Sequence, residues 1–354
     1  MPALVHYELK PKHCEIREIP IPKIGPSDVL IRTKAVGICG SDVHQYHNSH
    51  SWKVNIPVVL GHEFGGVVEA VGTDVSEFAP GERVVSETAA VINAASPFSR
   101  TGAYHLDPSR LGFGYGVDGA MAPFVKVPAR CLHRVPDGLD FVRAALTEPC
   151  AVAYQATIVN SPIEPGAVAV VIGPGPIGLL CAQMAKIAGA AEVIMVGLER
   201  DRPRLDLALR HFATRIATVE ETAADPDAFR KSLGDGYGAD VIIDAAGASS
   251  ALRSALDWVR PGGHITKVGW GPQPLGFSLD PLVQKAVTLQ GSFSHTWAVW
   301  ERVLRLMSSG ILDPMPIVSK TAPLEAWQDG FDGMTNGRYV KAVLLPNGAP
   351  DADV

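Results

Sequence analysis

The sequence predicts an α/β protein of two domains, one β-rich and the other a doubly wound parallel sheet. Three observations predict it. At 354 residues the chain is longer than one hydrophobic core usually serves, and its apolar content fills two. Near residue 150 the texture changes from short β-branched runs broken by Gly and Pro to a strand, turn, helix, strand alternation. At that change a glycine-rich turn, 173–178, joins an apolar run directly to a helical one.

The β-rich part is read from the runs at 29–33, 66–71, 83–86 and 121–127, each bounded by turn residues. After Pro165-Gly166 come a strand at 167–172, a helix at 176–188 and a strand at 192–196. The pattern continues with a buried strand at 239–244, a helix at 249–259, a turn at Pro261-Gly262-Gly263 and a strand at 264–268. This is βαβ logic and implies a parallel sheet. From about Phe293 the tail holds an amphipathic helix, 297–307, and a final strand, 339–345, that returns to the first domain. The expected division is therefore 1–150 with 293–354, and 151–292.

Composition narrows the function classes. A net charge of -6 with no Lys/Arg run argues against a nucleic-acid partner. The N-terminus lacks an apolar targeting core, and no apolar run reaches the roughly 18 residues needed to span a bilayer. The five cysteines (14, 39, 131, 150 and 181) are odd in number, scattered and never in a C-x-x-C pair, so a disulfide framework is not expected. These readings place the protein in the cytoplasm, soluble and unprocessed.

Gly173-Pro-Gly175-Pro176-Ile177-Gly178 follows a strand and opens a helix, the context that lifts G-x-G-x-x-G above a chance match. The first glycine permits the tight turn, the second admits a pyrophosphate, and the third lets helix and strand pack closely. The helix N-terminus adds amide donors and positive dipole. This is a Rossmann dinucleotide site. Where a carboxylate should close the second strand stands Gly197, so Glu199 is the candidate ribose ligand. Arg200, Arg202 and Arg204 are the alternative, facing a 2′-phosphate, although arginines in a loop are more often solvated. The expected cofactor is NAD, with NADP the alternative. Arg204, Ala246, Val268 and Ser292 complete the cofactor-binding candidates.

Cys39 lies in Gly37-Ile-Cys39-Gly40-Ser41-Asp42-Val-His44, and His62-Glu63 in Gly61-His62-Glu63-Phe64-Gly65-Gly66. Alone, a solitary Cys is usually a buried small hydrophobe and a His-Glu pair a solvated loop. Together they resemble the medium-chain, zinc-containing alcohol and polyol dehydrogenases, a match that covers nearly the whole chain. The resemblance implies a GroES-like catalytic domain split around the Rossmann domain, with zinc in the cleft between them. It makes Cys39 and His62 zinc ligands. Thr147-Glu148-Pro149-Cys150 is similar to the sorbitol and threonine dehydrogenase branch, where a carboxylate replaces a cysteine. Glu63 and Glu148 are thus the remaining candidates, one bound directly and the other directly or through water, and Cys150 is a bystander. Ser41 and His44 match the family's proton relay.

Many relatives carry a second, structural zinc in a C-x2-C-x2-C-x7-C lobe. Here the frame reads Asn93, Ser96, Ser99 and Asp107, none of which supplies a thiolate. One zinc per chain is expected, with the lobe held by packing through Phe98, Tyr104 and Leu106 or by a neighbouring subunit. Tyr46, Trp52, Phe113, Tyr115, Ser294 and His295 are read as lining the cleft, and Trp297 and Trp300 as helix packing. The resemblance implies an alcohol substrate bearing a secondary hydroxyl, on a polyol, sugar acid or amino-alcohol, and a homodimer or homotetramer. The rival readings are a zinc-free quinone or enone reductase of the same superfamily and a non-catalytic dinucleotide-binding sensor.

Overall fold

The computed structural model describes residues 1–348. The chain divides into two compact units, Met1–Glu148 with the segment from His295 onward, and Pro149–Ser294. No helix among the described residues is long and apolar enough to cross a membrane.

The first unit is built on a seven-stranded sheet. Its order is Val318–Pro323, Lys341–Leu345, Asp28–Gly37, Glu63–Val71, Arg83–Ser86 and Leu132–Arg134, with Phe124–Pro128 also paired to Asp28–Gly37. A smaller sheet pairs Pro2–His6 with Cys14–Glu18 and Val58–Val59. Alternation sends Val29 and Ile31 into a core that also holds Phe64, Phe113 and Phe331, and a register shift between Thr33 and Ala35 turns Val36 and, beyond the strand's end, Ile38 into the same core. The strand Lys341–Leu345 lies antiparallel on Asp28–Gly37 with Val343 opposite Gly37, so a strand from late in the chain sits inside this sheet, between Val318–Pro323 and Asp28–Gly37.

The second unit is a six-stranded, wholly parallel sheet ordered Arg215–Thr218, Glu192–Gly197, Val168–Ile172, Ala239–Asp244, Val259–Lys267, Thr288–Gly291. In chain order this is 3-2-1-4-5-6, the doubly wound arrangement whose switch point falls between Val168–Ile172 and Ala239–Asp244. The central strand is buried at all five positions, as a strand covered on both faces must be.

The units divide two residues from the expected positions, after Glu148 and after Ser294, and one expected turn is absent. The turn read at 261–263 is a bulge inside a single strand, Val259–Lys267, whose pairing jumps from Ala239–Val259 to Val241–His264. Gly262, at φ +72°, absorbs the extra residues, so the strand continues where the Pro-Gly-Gly run promised a stop.

Candidate metal and dinucleotide sites

Strand register brings the two conspicuous motifs of the first unit together. Gly37 pairs with Glu63. Cys39 follows Gly37 as the extended N-cap of the helix Gly40–Tyr46, and His62 immediately precedes the Glu63–Val71 strand. The ligand atoms of Cys39, His62 and Glu63 all lie within 4.8 Å of one another, the one such group found among the described residues. Gly37 makes this possible: a Cβ built there would stand 2.2 Å from Glu63 Oε2.

A buried ring of partners surrounds the three. The Cys39 N–H donates to Asp42 Oδ2 at 2.8 Å, and Asp42 Oδ1 stands 3.7 Å from His62 Nδ1. Lys341, 1 % exposed, donates to Glu63 Oε1 at 2.7 Å and to the Ile38 carbonyl at 3.0 Å, and its Nζ is 2.6 Å from Glu63 Oε2. Glu148, at the start of the helix Thr147–Tyr154, accepts from His295 Nε2 at 3.2 Å. Burial favours the neutral form of His62, but the charges of Asp42 and Cys39 outweigh it and raise its pKa well above the ordinary imidazole value. Lys341 meets the charge of Glu63, and a metal ion between Cys39, His62 and Glu63 would meet the rest. A thiolate, an imidazole and a carboxylate form a donor set that zinc accepts, so these residues fit the metal that their motifs imply.

The other relay candidates are nearby in the chain. Ser41 Oγ is 3.4 Å from His62 Nε2. His44 is exposed and its Nδ1 shares a 2.9 Å hydrogen bond with Ser49 Oγ.

Two expected cleft residues lie in the core instead. Tyr46 packs edge-on against Trp327 and Phe331, and Phe113 meets Phe64 with ring centroids 5.5 Å apart. Their bulk fills the interior behind the site. Trp52 and Tyr115 are half-buried, with the Tyr115 hydroxyl accepting from Arg110 at 3.0 Å. Ser294 is half-buried with φ +57°.

Of the three side chains expected to pack the lobe, two do not. Phe98 and Leu106 are 40 % and 47 % exposed and pack no core. Polar closure replaces them: Ser96 Oγ accepts from the Ser99 N–H at 3.2 Å, and Asp107 Oδ1 accepts from the Ser109 N–H and hydroxyl at 2.8 and 2.7 Å. Tyr104 donates to Glu87 and accepts from the Trp297 N–H. Asn93 Oδ1 accepts only a local bond, from the Ala95 N–H. Short capped turns satisfy the backbone locally and leave the apolar side chains facing out.

In the second unit, Gly173 leaves the central strand at φ +100°, and a Cβ there would sit 2.8 Å from the Ala246 N. Gly175 caps the helix Pro176–Ile187, and a Cβ at 175 would meet nothing within 4 Å. That open side is what a pyrophosphate approach requires. At Gly178 a Cβ would stand 1.9 Å from the Gly173 carbonyl oxygen, which confirms the third glycine as a packing position. Pro176 and Ile177 form the half-buried first turn.

The loop bearing Ala246 is fixed by Asp244. This fully buried carboxylate accepts from the Ala246 and Gly247 N–H groups at 3.1 and 2.9 Å and from Lys267 Nζ at 2.9 Å. The Val268 N–H donates to the Asp244 carbonyl at 3.0 Å, and Ser292 Oγ accepts from Asn160 at 3.0 Å. Gly197 ends its strand against Pro174, where a Cβ would fall 2.8 Å from the proline Cγ. Glu199 is exposed at the head of the turn Glu199–Asp201, and its N–H donates to Glu220 Oε2 at 3.0 Å. Arg204 is half-buried in the helix Arg202–His211, and Arg200 is exposed. Arg202 stands 3.6 Å from Asp206.

Sequence reasoning passed over Asp42, Lys341 and Asp244 and assigned Trp300 to packing alone. A lysine heading the buried strand Lys-Ala-Val-Leu-Leu was a readable signal of an internal ion pair. Asp42, three residues after an N-cap, was another.

Residues 25–137 match the family model of the alcohol dehydrogenase GroES-like domain, and residues 176–309 that of the zinc-binding dehydrogenases. A sorbitol dehydrogenase from Halalkalibacterium halodurans is 35 % identical, over 98 % of this chain and 99 % of the relative. An L-threonine 3-dehydrogenase from Bacillus subtilis is 35 % identical over 94 % of both chains. Among solved structures, the 2R,3R-butanediol dehydrogenase of Bacillus subtilis superposes with a TM-score of 0.88 at 30 % identity, over 98 % of this chain and 99 % of that one.

Proposed function

The chain belongs to the medium-chain, zinc-dependent alcohol dehydrogenase family, and from that premise we propose a substrate, a ligand set and a proton route for its NAD(P)-linked oxidoreduction of alcohols. The reaction passes hydride between NAD and a carbon bearing a secondary hydroxyl, on a polyol, sugar acid or amino-alcohol. The observation that carries the reading is the grouping of Cys39, His62 and Glu63 within 4.8 Å. A zinc-free reductase has no use for that set.

Cys39, His62 and Glu63 would hold the metal, with Glu148 bound to it directly or through water. Zinc, when bound, supplies a Lewis acid that lowers the pKa of an alcohol oxygen, while the nicotinamide supplies the hydride acceptor. Asp42, with Oδ1 3.7 Å from His62 Nδ1, acts on the imidazole through its charge. Ser41 and exposed His44 are the proposed relay residues, the serine hydroxyl on the substrate side and the histidine on the solvent side. Sorbitol, L-threonine at C3 and 2R,3R-butanediol, the alcohols in the relatives' names, all carry a secondary hydroxyl beside a carbon bearing oxygen or nitrogen.

The protein acts in the cytoplasm as a homodimer or homotetramer, a reading supported by the exposed edge strand Thr288–Gly291 with Val283 beside it at 85 % exposure. The deciding experiment is a panel of alcohols run with both cofactors, with bound metal and native mass measured on the same sample. The expected result is turnover of secondary polyols and amino-alcohols, one zinc per chain and a mass above one chain. NAD binding without turnover across the panel supports the sensor instead, and activity that survives metal removal supports the zinc-free reductase.

NAD is the proposed partner over NADP. Glu199 and Glu220 put two carboxylates at the end of the second strand, where a 2′-phosphate would meet like charge, and Arg202 is engaged with Asp206. Glu199→Ala is expected to raise the KM for NAD about tenfold, the loss of one charged hydrogen bond, and to narrow the preference over NADP. A wild-type protein that strongly prefers NADP overturns the assignment.

A further inference from the structure

Glu148 lies outside the 4.8 Å group but close enough to His62 and Glu63 for its charge to act on both, and it is held by different chemistry from Glu63. Both Glu63 oxygens lie against the Lys341 cation, whereas Glu148 meets a histidine through one oxygen. That histidine, His295, is 2 % exposed, and its other nitrogen, Nδ1, receives the indole N–H of Trp300 at 2.7 Å. An indole nitrogen can only donate, so Nδ1 must present its lone pair. The ring proton therefore sits on Nε2 and points at Glu148 Oε1, 3.2 Å away.

Trp300 is itself immobilised. It is fully buried, and the His133 ring stacks on it at 5.3 Å and 11°, anchored by a 2.7 Å bond from Nδ1 to Glu301. Donors thus run in one direction, from Trp300 through His295 to Glu148, across 147 residues between His295 and Glu148. The ring cannot turn over without facing an indole N–H with its own N–H.

We propose that His295, locked in one tautomer by Trp300, is a positioning residue that fixes the Glu148 carboxylate by one oxygen and leaves the other to the metal or its bound water. The inference rests on Glu148 being part of the zinc site. Neither residue touches substrate in this role.

The test is zinc affinity by chelator competition, with the visible absorption of the cobalt-substituted protein as a second readout. His295→Phe keeps the ring and removes the donor, and is expected to weaken zinc binding about 10–100-fold, as losses behind a metal ligand do, and to alter the cobalt bands. His295→Gln restores an amide donor and is expected to recover most of that affinity. Trp300→Phe keeps the packing but frees the tautomer, and is expected to fall between them. Phe and Gln variants that behave alike, or a Phe variant with wild-type affinity and cobalt spectrum, overturn the proposal. If His295→Phe does not fold, Trp300→Phe with unchanged affinity and spectrum does so. Cys39→Ala is measured alongside: zinc retained there refutes the metal site itself, whereas zinc lost there but kept in His295→Phe refutes only the role of His295.

Discussion

Cys39→Ala purifies without zinc and turns over at least about a thousandfold more slowly than the wild type, the scale of the several kcal/mol of charge stabilisation that a metal supplies. The thiolate is the strongest of the proposed donors, and His62 with one carboxylate leaves too few ligands to retain the ion against water. The check is kcat/KM on whichever alcohol the wild type uses best, with metal quantified in the same preparation. Cys150→Ala is the control: it lies two residues beyond Glu148, is fully buried, and is expected to keep both zinc and turnover. A metal-free Cys39 variant of undiminished activity refutes the reading.

The second large effect is on stability. Lys341 and Glu63 are each about 1 % exposed in their side chains, and removing one partner of such a pair strands a charge in a dry interior. Lys341→Met is expected to cost roughly 3–5 kcal/mol in the chelated protein, because Glu63 then loses the cation that meets both of its oxygens. Zinc supplies positive charge beside the same carboxylate, so the loss shrinks when metal is restored. Denaturant unfolding with and without chelator measures both. Equal losses in the two conditions show that Glu63 does not face the metal, and no loss in either shows that the pair carries no stability.

How far the sequence reached follows from the range of each signal. The glycine turn at 173–178 is local: strand, turn and helix are contiguous, and each glycine's task can be read from its neighbours. The zinc motifs were legible for the same reason, as two short words whose convergence only a strand register had to supply. Long-range pairings were not. Nothing near Glu63 announces a lysine 278 residues away, and nothing in the helix Trp297–Ser308 distinguishes a tryptophan that packs from one that also orients a histidine. Aromatic rings misled at Tyr46 and Phe113, where proximity to motifs suggested a lining and the core claimed them. The Pro-Gly-Gly run misled because a paired strand can accommodate a glycine excursion without ending.

The lobe between Asn93 and Arg110 has a consequence for metal economy. Its turns are tied by hydroxyls and carboxylates, and by Tyr104 to Glu87, and none of its four frame positions offers a thiolate. An oxidant finds no sulfur there to convert, and a metal finds no thiolate to bind. The one group of metal-ligating residues found among the described residues lies outside the lobe, so the fold around the lobe is expected to stand when metal is stripped or exchanged.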